Sequence, residues 1–323
     1  MENNLYHRPP RKRFRLFEKD RPWLNVLLFV LTFFSIFYFG INWSVSYIFS
    51  DSINQGTLDV SMSDILSNRQ VLTMSFFYSV VLISILLAHE MGHYLMSRRY
   101  GIDATLPFFI PFPSIIGTLG AYIRIRSPIS QKKQLFDIGI AGPLSGFVLA
   151  LPALIYGVSR SKVVPFFQQE DSFIIGDPLI MKFLGLIFFK GIPSSHPIVL
   201  HPLAFAGWVG MLVTSFNLCP AGQLDGGHIA YVILGKKALN LGRILLMIFI
   251  LMGFFFWFGW FVWAGLIGLL GLKHPRIMDE YNPLSKKRKV LALIVLVIFI
   301  LSFIPAPIFG WSFFDFLQKI FMP

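Results

Sequence analysis

Six stretches without a single Asp, Glu, Lys or Arg decide what this chain can fold into: 22–50, 71–88, 138–159, 203–224, 244–272 and 290–314. Crossing a bilayer as a helix takes roughly 17–25 apolar residues, and each of these runs is long enough. A soluble core has no use for so many uninterrupted apolar runs in 323 residues. The composition agrees, with 14% charged residues against about 25% in an average globular chain. The expected fold class is an all-α polytopic membrane protein with about six to seven transmembrane segments.

The +12 net charge could suggest a nucleic-acid partner, but the basic residues are placed otherwise. Seven precede the first apolar run, six lie between Arg98 and Lys133, three between Lys236 and Arg243, and six between Lys273 and Lys289. These 22 of the 28 Lys and Arg read as cytosolic topology signals, and no nucleic acid is expected. The same clusters favour anionic lipid at the cytosolic face. Residues 1–22 are then a cytosolic basic tail and 23–323 a single membrane-embedded domain. The first apolar run lacks a small-residue cleavage site and reads as a retained anchor. The expected location is the cell membrane or an organellar one, multi-pass, with the N-terminus cytosolic. Cys219 is the only cysteine, which excludes intramolecular disulfides and Cys-based zinc sites.

Along the chain, spans are expected at about 23–49, 71–97, 135–158, 202–224 and 290–310, with 244–272 folded as a hairpin whose tip lies near 253–260. Between spans two and three, Pro107, Pro111 and Pro113 preclude a regular helix. The alternation at 121–126 predicts a strand. Non-helical backbone at membrane depth survives only against protein or a wet cavity, so a re-entrant loop with a strand beside a polar site is expected here. Gly142 and Gly146 stand at the spacing of close helix packing.

One motif carries chemistry. His89-Glu90-Met91-Gly92-His93 is H-E-x-x-H within a predicted helix. Spacing of four puts both imidazoles on one face to share a Zn²⁺, with Glu90 beside the reacting water. Random placement of seven His and five Glu yields about 0.002 such motifs per chain. Two histidines leave a tetrahedral site one protein ligand short. His93 lies five residues, or ~7 Å of helix rise, before Arg98, and Asp225 lies at the inner end of span four. Asp225 is therefore the best match in depth. Asp137 and His228 stay open as alternatives, while His196 and His201 fall near the outer face.

With these residues in view, the sequence resembles the site-2 protease family of intramembrane zinc metalloproteases. The resemblance rests on His89-Glu90-Met91-Gly92-His93 and on 217–227, which follows the family's N-x-x-P-x-x-x-L-D-G pattern through Asn217, Pro220, Leu224, Asp225 and Gly226. It covers roughly 75–280, within a core of about 71–280, in a compact form without a PDZ or CBS domain. It implies His89, His93 and Asp225 as ligands of one Zn²⁺ per chain, Glu90 as catalytic acid/base, and Asn217 as a contact to the substrate or its oxyanion. The implied activity is hydrolysis of a peptide bond in or near a transmembrane segment of a membrane-anchored protein. The strand would offer an edge to an unwound substrate, with Gly117 and Gly120 permitting close backbone approach. Two rivals are a transporter or channel with a structural metal site, and a non-catalytic family member that binds transmembrane helices. The first has no need of Glu90, and the second would have lost a ligand or the Glu.

Overall fold

The structure, a computed structural model, describes residues 21–54, 61–164, 174–193, 196–272 and 282–321; residues 1–20 of the basic tail lie outside them. Helix α1 (Pro22–Ile48) opens on a proline at its first position, where the missing N–H is no loss. Two short helices, α2 (Ser50–Asn54) and α3 (Met62–Ser67), lead into α4 (Arg69–Arg99). Asn68 caps α4 through the Gln70 and Val71 amides, and Arg98 and Arg99 sit in its last turn, where positive charge opposes the helix dipole.

The proline-rich segment forms an antiparallel hairpin of β1 (Phe108–Pro111) and β2 (Thr118–Tyr122), with Phe108 opposite Tyr122 and an irregularity between Phe109 and Pro111. The strand expected at 121–126 is thus displaced toward the N-terminus. Continuing the register puts Pro107 opposite Ile123, but the Pro107 carbonyl accepts from Asn25 Nδ2 at 2.8 Å. The Ile123 amide instead bonds to the Glu90 side chain. Pairing resumes irregularly beyond it, with the Thr105 amide donating to the Arg124 carbonyl and the Arg126 amide to Asp103.

Helix α5 (Lys132–Ser159) follows, carrying Pro143 and Pro152 inside it. Next come β3 (Lys162–Val163), the apolar helix α6 (Leu179–Phe188) and β4 (Ile198–Val199), which pairs with β3. Helix α7 (Pro202–Leu218) is 17 residues long and stops short of the expected boundary at 224. Pro220 cannot supply a helix amide, and Gly222 adopts φ +57. Asp225 therefore does not end a span; it opens a separate helix, α8 (Asp225–Leu234). The run 244–272 is a helical hairpin of α9 (Lys237–Phe255) and α10 (Gly259–Leu270). Helix α11 (Lys286–Ser302) ends eight residues before the expected 310, ahead of Pro305 and Pro307, and α12 (Phe313–Phe321) closes the chain.

Helix α5 packs between α4 and α7 at the centre, with α1 against α4 and α11 against α7. Tyr78, Leu82, Leu154, Phe205, Trp208 and Met211 are fully enclosed there. Large apolar side chains face outward on the peripheral helices, among them Phe34, Leu186 and Leu269. Among the described residues four helices, α1, α4, α5 and α9, are long and apolar enough to cross a bilayer. The chain is a helical, multi-pass membrane protein, with two small sheets among the described residues.

Candidate metal centre

Helix α4 supplies three of the site's groups in two turns. His89, Glu90 and His93 are all buried, at 3%, 8% and 7% exposure. Asp225 arrives at the first position of α8 because the chain turns at 219–224 rather than continuing α7. His89 Nε2, His93 Nε2 and Asp225 Oδ2 form a triangle with sides of 3.3, 3.1 and 3.4 Å. A tetrahedral Zn²⁺ with N/O bonds of about 2.0–2.1 Å has ligand–ligand edges of about 3.3–3.4 Å. The three atoms thus span one face of such a tetrahedron. Among the described residues this is the one group of three His, Cys, Asp or Glu that converges in this way.

The surroundings select the atoms that point inward. His93 Nδ1 lies 2.8 Å from the Ile138 carbonyl. A carbonyl accepts only, so this contact places the proton on Nδ1 and leaves the Nε2 lone pair for a metal. Room for the rings comes from α5. A Cβ at Gly142 would stand 2.1 Å from His93 Nε2, and one at Gly146 would stand 3.3 Å from His89 Cβ and Nδ1. The glycines expected to serve helix packing do so by making room for the two imidazole rings of α4. The donor set, its edges and this glycine-lined recess fit a tetrahedral divalent ion.

Beside the triangle lies a cavity of about 260 Å³, lined by His89, Glu90, His93, Asn217 and Asp225 together with Ala121–Ile123. Asn217 Nδ2 lies 3.3 Å from His89 Nε2, on the cavity wall. Gly117 and Gly120 are not among the lining residues. Gly117 packs on α1, where a Cβ would meet Ile36 Cα at 2.6 Å, and a Cβ at Gly120 would meet nothing within 4 Å. It is the last residues of β2 and Ile123 that border the cavity.

The other candidates separate by position. His228 lines the cavity one turn beyond Asp225. Asp137 faces away, bonded to Arg288 and Tyr100. His201 caps α7 at the opposite end, its Nδ1 accepting from the Leu203 amide. Burial, with the Arg160 charge adding to it, lowers its pKa to about 4. His201 also borders a more open depression of about 650 Å³ with Arg69, Met74, Phe77 and Tyr156, where among the described residues no metal-ligand group converges. Three contributors were beyond sequence reasoning: the Ile138 carbonyl, the Ile123 amide and Gln223, which also lines the cavity. Backbone groups carry no residue signature; Gln223 sits within the matched motif but at one of its variable positions.

Residues 77–258 match the profile of peptidase family M50. The Arabidopsis thaliana protein named "Probable zinc metalloprotease EGY2, chloroplastic" is 34% identical over 184 residues, which cover 54% of this chain and 32% of that protein. The Oryza sativa subsp. japonica protein named "Probable zinc metalloprotease EGY1, chloroplastic" is 31% identical over 230 residues, covering 67% of this chain and 38% of its own length. The chain spans about a third of the length of these relatives. No solved structure matches it.

Proposed function

The chain belongs to peptidase family M50, and from that premise we propose that it is an intramembrane zinc metalloprotease. Its reaction is hydrolysis of a peptide bond in or near a transmembrane segment of a membrane-anchored protein. The observation that carries this reading is the triangle of His89, His93 and Asp225 with the buried Glu90 carboxylate beside it. Zn²⁺ held there supplies Lewis acidity, polarising the carbonyl and making water acidic enough to ionise near neutral pH.

The chain's own residues do the rest. Glu90 takes the proton from the attacking water and returns it to the departing amide nitrogen, so one water is consumed and one carboxyl and one amine are released. The Ile123 amide holds the Glu90 carboxylate in place. Asn217 Nδ2 donates to the oxyanion as the carbonyl carbon becomes tetrahedral, a role its place on the cavity wall supports. A helical peptide bond is shielded by its own backbone, so the scissile segment must unwind before it reaches the site. The unwound stretch would pair along Ala121–Ile123, whose lining position supports that role. Apolar walls such as Ile125, Ile138 and Leu135 exclude bulk water.

The finer placement follows the charge pattern. Six to seven segments cross the membrane, with α7, α10 and α11 joining the four long helices, and the N-terminus is cytosolic. That arrangement puts the basic clusters on one side, against anionic lipid. The membrane is the cell membrane or, as the names of the plant relatives indicate for those proteins, an organellar one.

The test is Glu90→Gln in the purified full chain, with metal content and cleavage of a synthetic transmembrane substrate measured together. The variant is expected to keep one Zn²⁺ and to lose at least about 10³-fold in cleavage rate. Wild-type cleavage by Glu90→Gln would overturn the mechanism.

A further inference from the structure

Three helices meet at one ion pair outside the cavity. Arg288, in the first turn of α11, donates from Nε to Asp137 Oδ1 at 2.8 Å and from Nη2 to Asp137 Oδ2 at 2.6 Å. Asp137 lies in the second turn of α5. The Tyr100 hydroxyl, at the C-cap of α4, donates to Asp137 Oδ2 and lies 3.4 Å from Arg288 Nη2. Two parallel bonds from one planar guanidinium define both the distance and the orientation of the carboxylate, which an ammonium cannot do. The side chains are partly shielded, at 26% exposure for Arg288 and 15% for Asp137. The neighbouring Lys286, Lys287 and Lys289 are exposed, so Arg288 alone of this basic run turns into the protein.

What the pair holds is next to the metal centre. Asp137 precedes Ile138, whose carbonyl lies 2.8 Å from His93 Nδ1. Tyr100 stands seven residues, about two turns, beyond His93 on the helix that carries both histidines. The interior Pro143 falls within the following turn of α5, where its ring interrupts the regular ladder and weakens the helix's own hold on its backbone. An external tie at Asp137 compensates at that place. Helix α11 itself contributes no residue to the cavity lining and lies beyond the 77–258 family match.

We propose that Arg288 and Asp137 are positioning residues of the metal centre: their bidentate pair, seated on Tyr100, fixes the turn of α5 that orients His93. Through it α11, which lies outside the family match, sets the geometry of a ligand it does not touch. The inference rests on the metal-site reading above and adds a role for the C-terminal span.

The experiment is titration of the metal-free full chain in detergent with Co²⁺, following the visible ligand-field bands, alongside thermal unfolding. Arg288→Ala is expected to weaken Co²⁺ binding about tenfold, the scale of lost outer-shell support, and to alter the bands. Arg288→Lys keeps the charge without the fork, and is expected to recover thermal stability better than it recovers the spectrum. Asp137→Asn, which is isosteric, carries the same expectation as Arg288→Ala and replaces it should that variant not fold. Val295→Ala removes buried packing on the same helix and should lower thermal stability without moving Co²⁺ affinity or bands. Wild-type affinity and spectrum in both Arg288→Ala and Asp137→Asn would overturn the clamp alone, as would an equal loss in Val295→Ala. A wild-type chain that takes up no Co²⁺ would overturn the metal-site reading and the clamp with it.

Discussion

The two halves of α5 use the same residue for different ends. Toward its C-terminus, glycine lets backbones meet: a Cβ at Gly157 would stand 2.0 Å from the Ala204 amide nitrogen of α7, and one at Gly207 of α7 would stand 2.6 Å from the Leu154 nitrogen. Toward its N-terminus, glycine admits functional side chains, with His93 over Gly142 and His89 over Gly146. The spacing of Gly142 and Gly146 is that of helix-packing glycines, yet their neighbours are imidazole rings. A small-residue pattern states that something approaches closely; it does not state what. At one half the loss would fall on folding, at the other on metal binding.

That division can be broken by substitution, most strongly at Gly142. Gly142→Ala is expected to displace His93 and lower metal affinity by on the order of 10³-fold, since it removes a ligand rather than an outer-shell contact. Its fold should persist, as read by thermal unfolding beside metal analysis after dialysis. A fully metallated Gly142→Ala would erase the contrast between the halves. Asn217→Ala, across the cavity on α7, should retain metal and lose about 10²-fold in kcat with little change in KM. An unchanged kcat would remove Asn217 from the reaction. Gly157→Ala addresses the opposite half: it should lower stability by about 1–3 kcal/mol through overpacking, while the molecules that fold bind metal as the wild type does.

The smallest effect concerns His201, at the far end beside α5's last turn. Its pKa is lowered to about 4 in the folded chain against ~6.5 unfolded. The unfolded chain therefore binds the proton first as pH falls. The stability contributed by neutral His201 is complete above about pH 6.5 and is lost progressively toward pH 4. Between pH 7 and 5.5 the loss should be about 1 kcal/mol. His201→Asn keeps a capping acceptor but does not titrate. Comparing its thermal unfolding with wild type at the two pH values isolates the term, and identical pH dependence in both proteins would refute it.

Membrane residence and the metal motif were legible in the residues themselves. Absence of charge over 18 or more residues is a transfer property that each segment carries alone, and H-E-x-x-H sets its geometry within one helix. Spans α1, α4 and α5 accordingly stand close to their expected limits, and the α9–α10 hairpin turns within the expected tip. Two boundaries beside the metal centre were misplaced. Helix α7 ends at Leu218 because Pro220 and Gly222 turn the chain, which brings Asp225 in on a helix of its own. Strand β2 ends at Tyr122, where the Ile123 amide leaves the ladder for Glu90.

By itself, then, the sequence determined a polytopic helical chain with two histidines and a glutamate on one helical face. Tertiary structure decided which acid completes the triangle. Asp137 opens one apolar run and Asp225 closes another; depth and the motif around Asp225 favoured it, but both carboxylates stayed open until the packing was known. Arg288, 151 residues beyond Asp137, takes that carboxylate and leaves Asp225 to face His89 and His93. Contacts across such separations depend on how helices pack, which no short window of sequence encodes.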